Sequence, residues 1–134
     1  MQAIPNSVGL ARPADREQAR SHPMSHTVPL PISVVIVARN EASNLPRCLA
    51  SVSGWVAEIV VVLNATTDES EKIARGFGAT VHHTEWRGYR DTKNWANARA
   101  THPWALCLDA DEEVSPALRA AITAFLDRAD RDAF

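Results

Sequence analysis

From Ile32 onward, hydrophobic and polar positions follow two alternating patterns along the chain. Four short apolar runs, rich in β-branched residues, predict β-strands at 32–38, 58–63, 79–84 and 104–109. The first, second and fourth runs are almost continuously apolar, which is typical of strands buried on both faces of a sheet. Between and after these runs, apolar residues recur three or four positions apart and predict helices at 44–53, 68–77, 92–100 and 115–129.

Strand and helix therefore alternate four times, an order that predicts an α/β fold. Crossovers between parallel strands are almost always right-handed, so we expect a Rossmann-like, mostly parallel sheet flanked by helices. Suitable capping residues precede three of the helices: Ser43 or Asn44, Thr67 or Asp68, and Ser115.

The first 31 residues differ from the rest of the chain. They contain five of the eight prolines and almost no apolar periodicity, which predicts a disordered leader at 1–31 and a single domain at 32–134. The fourth predicted strand is strongly apolar, and an exposed apolar edge is a liability. Either this strand lies inside the sheet, or the chain is the first part of a larger domain that is truncated after it.

Composition narrows the classes of function. The 134 residues carry 14 basic and 16 acidic side chains, a net charge of −2 that gives no electrostatic reason to bind nucleic acid. No apolar stretch reaches the roughly 18–20 residues of a membrane span, and no signal-peptide pattern is present. Cys48 and Cys107 lie in apolar patterns, as buried thiols do. These features predict a cytoplasmic protein.

Polar residues gather where each predicted strand ends. Ligands of open α/β sheets bind at the carboxyl ends of the strands, so four such clusters on one edge indicate a site. The clusters comprise Arg39, Asn40 and Glu41; Asn64, Thr66, Thr67 and Asp68; Glu85, Trp86, Arg87, Tyr89 and Arg90; and Asp109, Asp111, Glu112 and Glu113.

The Asp-x-Asp pair that ends the fourth strand suggests a metal site. Asp109 and Asp111 can project toward one point where the strand opens into a turn. Mg²⁺ and Mn²⁺ commonly bind through one or two carboxylates together with the phosphates of a substrate. The glycine-rich loops of dinucleotide-binding and nucleoside-triphosphate-binding proteins are absent from the sequence. A sugar-nucleotide pyrophosphorylase is also disfavoured, because its basic glycine-rich loop after the first strand is replaced by "ARNEA".

Four stretches, taken together, resemble the inverting family-2 glycosyltransferases of the GT-A fold. They are "ISVVIVARNEASNLPRCLASV", "EIVVVLNATTDES", "WRGYRDTKNWANARA" and "WALCLDADEEVSPAL", in the family's order and spacing from residue 32 to about 118. The third and fourth stretches look most like the β-glucosyltransferases of lipopolysaccharide core assembly. The resemblance implies transfer of a sugar, with inversion, from a nucleotide-sugar to a glycan or glycolipid acceptor.

The resemblance also implies roles for individual residues. Ala38, Asn40 and Glu41 would line the nucleotide pocket, and Asp68 would help to shape it. Lys93 would lie near the diphosphate, Asp109 would contact the ribose or metal-bound water, and Asp111 would ligate Mg²⁺ or Mn²⁺. The family usually reads "VVDSGSTD" after the second strand, where this chain has Leu63 and Asn64. Leucine cannot accept a hydrogen bond, so Asn64 or the backbone would have to recognise the base.

The family's catalytic base lies in an acceptor-binding half that follows the Asp-x-Asp motif, and no carboxylate here occupies its position. The sequence thus predicts the donor-binding half of a glycosyltransferase, either truncated or completed by a second copy or another chain. Peripheral association at the inner membrane face is compatible with this prediction. The alternatives are a non-catalytic remnant and a module that binds a partner protein through an unpaired sheet edge.

Overall fold

The computed structural model describes residues 9–11 and 29–132. Five strands and four helices follow one another along this part of the chain. The strands are β1 (Gly9–Ala11), β2 (Leu30–Ala38), β3 (Val56–Asn64), β4 (Thr80–Thr84) and β5 (Trp104–Asp109). The helices are α1 (Leu45–Val52), α2 (Ser70–Gly76), α3 (Tyr89–Asn97) and α4 (Pro116–Asp132). None of the helices described here is both long and apolar enough to cross a membrane.

One sheet contains all five strands, in the order β1-β5-β2-β3-β4. Strands β2 to β5 pair in parallel, so the predicted α/β architecture is confirmed. Strand β5 pairs with β2 on one side and antiparallel with β1 on the other. The strongly apolar strand therefore lies inside the sheet, as the first of the two alternatives predicted, and offers no unpaired edge to a partner.

Strand β1 is a departure from the sequence analysis. Gly9–Ala11 falls within the predicted disordered leader, yet it pairs in register with residues 105–107 of β5. Strand β2 also begins at Leu30, two residues before the predicted boundary. A three-residue edge strand carries too few side chains for a period-2 pattern to be read. The rest of the predicted leader, 1–8 and 12–28, lies outside the described residues.

Alternate residues of the central strands pack on opposite faces of the sheet. Val34 and Ile36 belong to a large cluster that also contains the buried side chains of α1, α2 and α4. Val35 belongs to a smaller cluster with Val60, Val62 and Ala96 of α3. Of the four helices in the described residues, three therefore cover one face of the sheet, and α3 packs on the other.

Helix α3 begins at Tyr89, three residues earlier than the pattern predicted. Gly88 has φ +88°, a backbone conformation that L side chains rarely adopt, and its carbonyl accepts the amide of Thr92 at 3.0 Å. The buried Thr92 hydroxyl in turn accepts the amide of Arg87 at 2.9 Å. This tight turn brings the third polar cluster to the start of α3, next to the edge where β5 ends.

A group of polar side chains, the amino-edge network, lies at the opposite edge of the sheet. It consists of Ser33, Glu58, Thr101 and His102. The fully buried Ser33 hydroxyl donates to Glu58 Oε1 at 2.6 Å, and the Thr101 amide and hydroxyl donate to the same oxygen at 3.1 and 2.9 Å. The amide of His102 donates to Ser33 Oγ at 3.1 Å. These bonds fix the loop between α3 and β5 to strands β2 and β3.

Candidate functional site

The carboxyl ends of β2, β3, β4 and β5 meet at one edge of the sheet, here called the carboxyl edge. Parallel pairing places all four predicted polar clusters there. The registers bring Val37 of β2 beside Asp109 and Ala38 beside Leu63. The clusters that are far apart in sequence therefore share one edge, as a binding site requires.

The loops after β2 and β3 are joined by the side chain of Asn40. Its Oδ1 accepts the backbone amides of Thr67 at 2.8 Å and Asp68 at 3.2 Å, and we call these contacts the loop latch. Asn40 has φ +51°, a left-handed conformation that asparagine tolerates better than most residues. Its amide oxygen is engaged in the latch, so it positions the loops.

Asp68 strengthens this connection from the other loop. Its Oδ2 accepts the amide of Ala42 at 3.1 Å, and its Oδ1 accepts the amide of Ser70 at 2.9 Å at the start of α2. Hydrogen bonding to Ser70, above all, lowers the pKa of Asp68, although its slight desolvation opposes this. The Ser70 hydroxyl accepts the amide of Glu41 at 3.1 Å. Asp68 thus joins the loop after β2 to the start of α2, and its role in shaping a nucleotide pocket stays a prediction.

Lys93 and Asp109 form an ion pair at the centre of the carboxyl edge. Lys93 Nζ lies 3.0 Å from Asp109 Oδ1, and the two side chains are 23% and 36% exposed. Nζ also lies 4.9 Å from the ring centroid of Tyr89, one turn earlier on α3. Partial burial by itself lowers the pKa of Lys93, but the contacts with Asp109 and Tyr89 outweigh it and raise the pKa. Lys93 is therefore held as a cation beside the carboxylate.

The turn after β5 orients its acidic residues in different ways. The amide of Asp109 donates to Glu112 Oε1 at 2.7 Å, and the amide of Glu112 donates back to the Asp109 carbonyl at 3.0 Å. Glu113 pairs with Arg47 at 3.4 Å. Asp111 lies between Asp109 and Glu112 in the sequence and is exposed to solvent. Glu112 and Glu113 thus have structural contacts, and Asp111 presents its carboxylate to solvent.

The Cys48 thiol lies beneath this turn. Its Sγ is 3.7 Å from the carbonyl oxygen of Asp109. Burial, with smaller contributions from the acidic residues of the turn, raises the pKa of Cys48 to about 12. Both cysteines are free thiols, as the sequence predicts, although Cys107 is only half-buried. The raised pKa therefore reflects mainly the burial of the thiol beneath the acidic turn.

Two predicted pocket residues are buried. Ala38 is 4% exposed and packs in the large core cluster, so only its backbone faces the carboxyl edge. Asn64 is 6% exposed, and no hydrogen bond joins its side-chain amide to another described residue. A buried amide without a protein partner is costly and is commonly satisfied by water or a ligand. Leu63, at the family's aspartate position, is fully buried in the core.

The donor set at the carboxyl edge suits a hard divalent cation. Asp109 and Asp111 provide carboxylate oxygens, the ligands that Mg²⁺ and Mn²⁺ prefer. Among residues 9–11 and 29–132 no group of three or more His, Cys, Asp and Glu side chains is placed to hold a metal ion. An ion here would thus need phosphate or water oxygens as well, which is how Mg²⁺ usually binds.

A shallow cavity of about 320 Å³ lies on the other side of the molecule, at the amino ends of β3 and β4. Gly54, Glu58, Thr80 and His102 are among its lining residues. It contains none of the predicted site residues. The site is therefore defined by its polar groups, which lie on an open edge.

Sequence reasoning missed two contributors to the carboxyl edge. Tyr89 was recognised only as a member of a polar cluster, and its contact with Lys93 follows from their four-residue spacing on α3. Ser70 was overlooked, although its hydroxyl receives the amide of Glu41 across the loops. A serine directly after an Asp-Glu pair at a helix start carries a capping signal, but no signal for a contact with another loop.

Solved structures that resemble this fold include glycosyltransferases of the GT-A class. Glucosyl-3-phosphoglycerate synthase from Mycobacterium tuberculosis, in complex with Mn²⁺, uridine-diphosphate and glucosyl-3-phosphoglycerate, superposes with a TM-score of 0.51 and 25% identity. The match covers 61% of this chain and 35% of that one. The sequence profile of Glycosyl transferase family 2 matches residues 33–134, and the chain belongs to this family.

Curated relatives agree with this assignment. The chain is 38% identical over 88 residues to an uncharacterized glycosyltransferase of Rickettsia prowazekii, across 66% of this chain and 30% of that protein. It is 32% identical over 106 residues to the lipopolysaccharide core biosynthesis glycosyltransferase LpsC of Rhizobium meliloti, across 75% of this chain and 39% of that protein. The chain spans 30% and 39% of the length of these two relatives.

Proposed function

We propose that this chain binds the nucleotide-sugar donor of a metal-assisted glycosyltransferase at its carboxyl edge. One observation carries the proposal: Lys93 Nζ lies 3.0 Å from Asp109 Oδ1, with the exposed Asp111 two residues further along. A carboxylate paired with an ammonium group, followed two residues later by an exposed carboxylate, suits a diphosphate that is bridged by Mg²⁺ or Mn²⁺. The carboxylates would hold the ion, and Lys93 would contact the phosphate oxygens.

The surrounding residues have supporting roles in this proposal. The loop latch of Asn40 and Asp68 fixes the two loops that would enclose the nucleotide. The backbone of Ala38 and Glu41 lines this region, and the unpartnered amide of Asn64 provides a donor and an acceptor for the base or ribose. Asn64 would then substitute for the family's aspartate, a role that the buried Leu63 cannot take.

The proposed reaction transfers the sugar with inversion to a glycan or glycolipid acceptor, in keeping with the similarity to LpsC. When the anomeric bond breaks, its electron pair stays with the leaving diphosphate oxygen, and negative charge develops there. Lys93 would stabilise that charge through its ammonium group. A bound divalent ion supplies Lewis-acid stabilisation of the same oxygens. No carboxylate of the described residues is assigned as the base for the acceptor hydroxyl.

A binding measurement tests the proposal. Mn²⁺ with UDP or GDP should raise the melting temperature more than either component alone, because a ligand of the folded state stabilises it. At a hundredfold excess over Kd the stabilisation is about 2.7 kcal/mol, or roughly 10 °C for a domain of this size. Asp111→Ala should abolish the shift.

Glu113→Gln is the matched control, since it removes a carboxylate from the same turn but not from the proposed metal site. It should leave the shift in place. The absence of a Mn²⁺-dependent shift with both nucleotides, or a shift that persists in Asp111→Ala, would contradict the proposal.

A further inference from the structure

Lys93 contacts the same carboxylate that the proposed metal site requires. Its Nζ lies 3.0 Å from Asp109 Oδ1, and Asp109 is joined to Glu112 through its backbone. The two side chains are 23% and 36% exposed, so water screens this pair less than a fully exposed one. Asp109 is thus already neutralised by a cation that belongs to the protein.

An ammonium group and a divalent cation compete for such an oxygen. Both are compact positive charges, and placing them on one carboxylate brings like charges within a few ångströms of each other. A metal ion that binds without phosphate would therefore have to displace Lys93 from Asp109, or it would bind more weakly because the ammonium group repels it. A diphosphate changes this balance, because its oxygens offer Lys93 a new partner of greater negative charge.

The side chain of Lys93 has room for such a change of partner. Its flexible stem carries three rotatable N–H donors, in contrast to the rigid fork of arginine. The ring of Tyr89, 4.9 Å from Nζ, offers a second favourable surface beside the ion pair. Tyr89 is 63% exposed and the Lys93 side chain 23%, so the two side chains lie at the surface of the edge and not in the core.

We propose that Lys93 is a placeholder cation: it occupies Asp109 until a divalent ion arrives together with a diphosphate, and then transfers to the phosphate oxygens. This inference rests on the proposed function. Lys93 then has two opposite effects: it weakens binding of the metal ion alone and strengthens binding of the metal ion together with the diphosphate. By linkage, Lys93 thus increases the cooperativity between metal and nucleotide.

The two effects can be separated by substitution. Lys93→Gln should bind Mn²⁺ alone about two- to fivefold more tightly, the gain expected when a partly exposed ion pair is removed. In saturating Mn²⁺ it should bind UDP or GDP about ten- to a hundredfold more weakly, the loss expected for one charge-assisted hydrogen bond. Electron paramagnetic resonance of free Mn²⁺ measures the first affinity, and calorimetry measures the second.

The chain offers a matched control, since Lys72 is its other lysine. Lys72→Gln removes the same charge from an 85% exposed side chain that pairs with Glu69, and should change neither affinity. Lys93→Arg retains the cation and should keep the wild-type affinity for Mn²⁺ alone. Suppose that the wild type binds both ligands, but that Lys93→Gln binds Mn²⁺ alone no more tightly than the wild type does. The placeholder role is then overturned, and the proposed function stands.

A wild-type protein that binds neither ligand overturns the proposed function itself, so the two failures are distinguishable. A structural measurement removes any dependence on how Lys93→Gln folds. In a crystal structure with Mn²⁺ and UDP, Lys93 Nζ should lie within hydrogen-bond distance of a phosphate oxygen and beyond 4 Å from Asp109 Oδ1, about the limit of a salt bridge. Retention of the ion pair in that complex would overturn the proposal.

Discussion

The two edges of the sheet both carry clusters of polar side chains, but they differ in how those side chains are satisfied. In the amino-edge network, the single oxygen Glu58 Oε1 accepts three hydrogen bonds from protein groups. At the carboxyl edge, the Asp111 carboxylate faces solvent, and the buried amide of Asn64 has no partner among the described residues.

This difference distinguishes a structural cluster from a candidate site. A Ser, a His and a Glu side by side could suggest nucleophilic catalysis, but Ser33 is fully buried and its hydroxyl is used to hold a loop. Polar groups that the protein satisfies stabilise the fold, whereas unsatisfied polar groups cost stability and are retained where a ligand can satisfy them. We therefore expect substitutions at the amino edge to alter stability and those at the carboxyl edge to alter binding.

The largest expected effect on stability is that of Glu58→Ala. It leaves the donors of Ser33 and Thr101 without their shared acceptor, at a cost of about 2–3 kcal/mol in the free energy of unfolding. Urea denaturation measures this cost. The affinity for Mn²⁺ with a nucleoside diphosphate should not change, because the network lies at the opposite edge. A large loss of affinity with an unchanged unfolding free energy would reverse the comparison.

Acid should weaken the same network to a smaller extent. Burial alone raises the pKa of Glu58, but hydrogen bonds from Ser33 and Thr101 outweigh it and lower the pKa from its ordinary 4.5. A carboxyl group with a lowered pKa contributes stability that is present above its ordinary pKa and is lost as the pH falls through its folded value. Stability should therefore decline below pH 4.5, and Glu58→Gln should show a shallower decline in urea titrations at a series of pH values.

The loop latch provides a smaller effect at the carboxyl edge. Asn40→Gly keeps the left-handed backbone conformation but removes the oxygen that accepts the amides of Thr67 and Asp68. Since the latch is exposed and water can replace it in part, the cost in unfolding free energy is about 1 kcal/mol. Nucleotide affinity should fall by roughly fivefold to tenfold, because the loops must then be ordered on binding. Calorimetry measures this change.

Asn40→Asp is the control for that prediction. Aspartate retains an accepting oxygen at the same position and also tolerates the left-handed conformation. Its nucleotide affinity should stay closer to that of the wild type than the affinity of Asn40→Gly. Equal losses in the two variants would show that the latch oxygen does not position the loops.

The sequence predicted four of the five described strands, the four described helices and the edge that the polar clusters share, because hydrophobic periodicity and chain direction determine them locally. Three almost continuous apolar runs left little ambiguity about which strands are buried. The resemblance to family-2 glycosyltransferases implied that Lys93 and Asp109 lie near the same ligand. Their direct ion pair was not predicted, since it depends on how α3 and β5 approach each other in three dimensions.

Contacts between strands and loops that are distant in sequence were also not predicted. The pairing of Gly9–Ala11 with β5 joins segments that are more than 90 residues apart, and three residues carry no recognisable pattern. Similarly, the hydroxyl of Ser33 interrupts an apolar run without indicating that it holds the loop before β5. Local patterns report which face of an element is buried, and they do not identify the group that lies opposite a polar side chain.

The smallest predicted effect concerns backbone strain at the carboxyl edge. Ala65 is exposed and has φ +47°, at the position where the family pattern "VVDSGSTD" has glycine. The left-handed conformation costs an L residue about 1–2 kcal/mol, and part of the relief is offset by the greater entropy of glycine in the unfolded chain. Ala65→Gly should thus stabilise the protein by about 0.5–1 kcal/mol in urea denaturation.

The matched control is Ala50→Gly in α1, an exposed helical position where glycine should destabilise the protein by about 1 kcal/mol. Destabilisation in both variants would show that Ala65 is not strained, and that the loop after β3 adopts another conformation in solution.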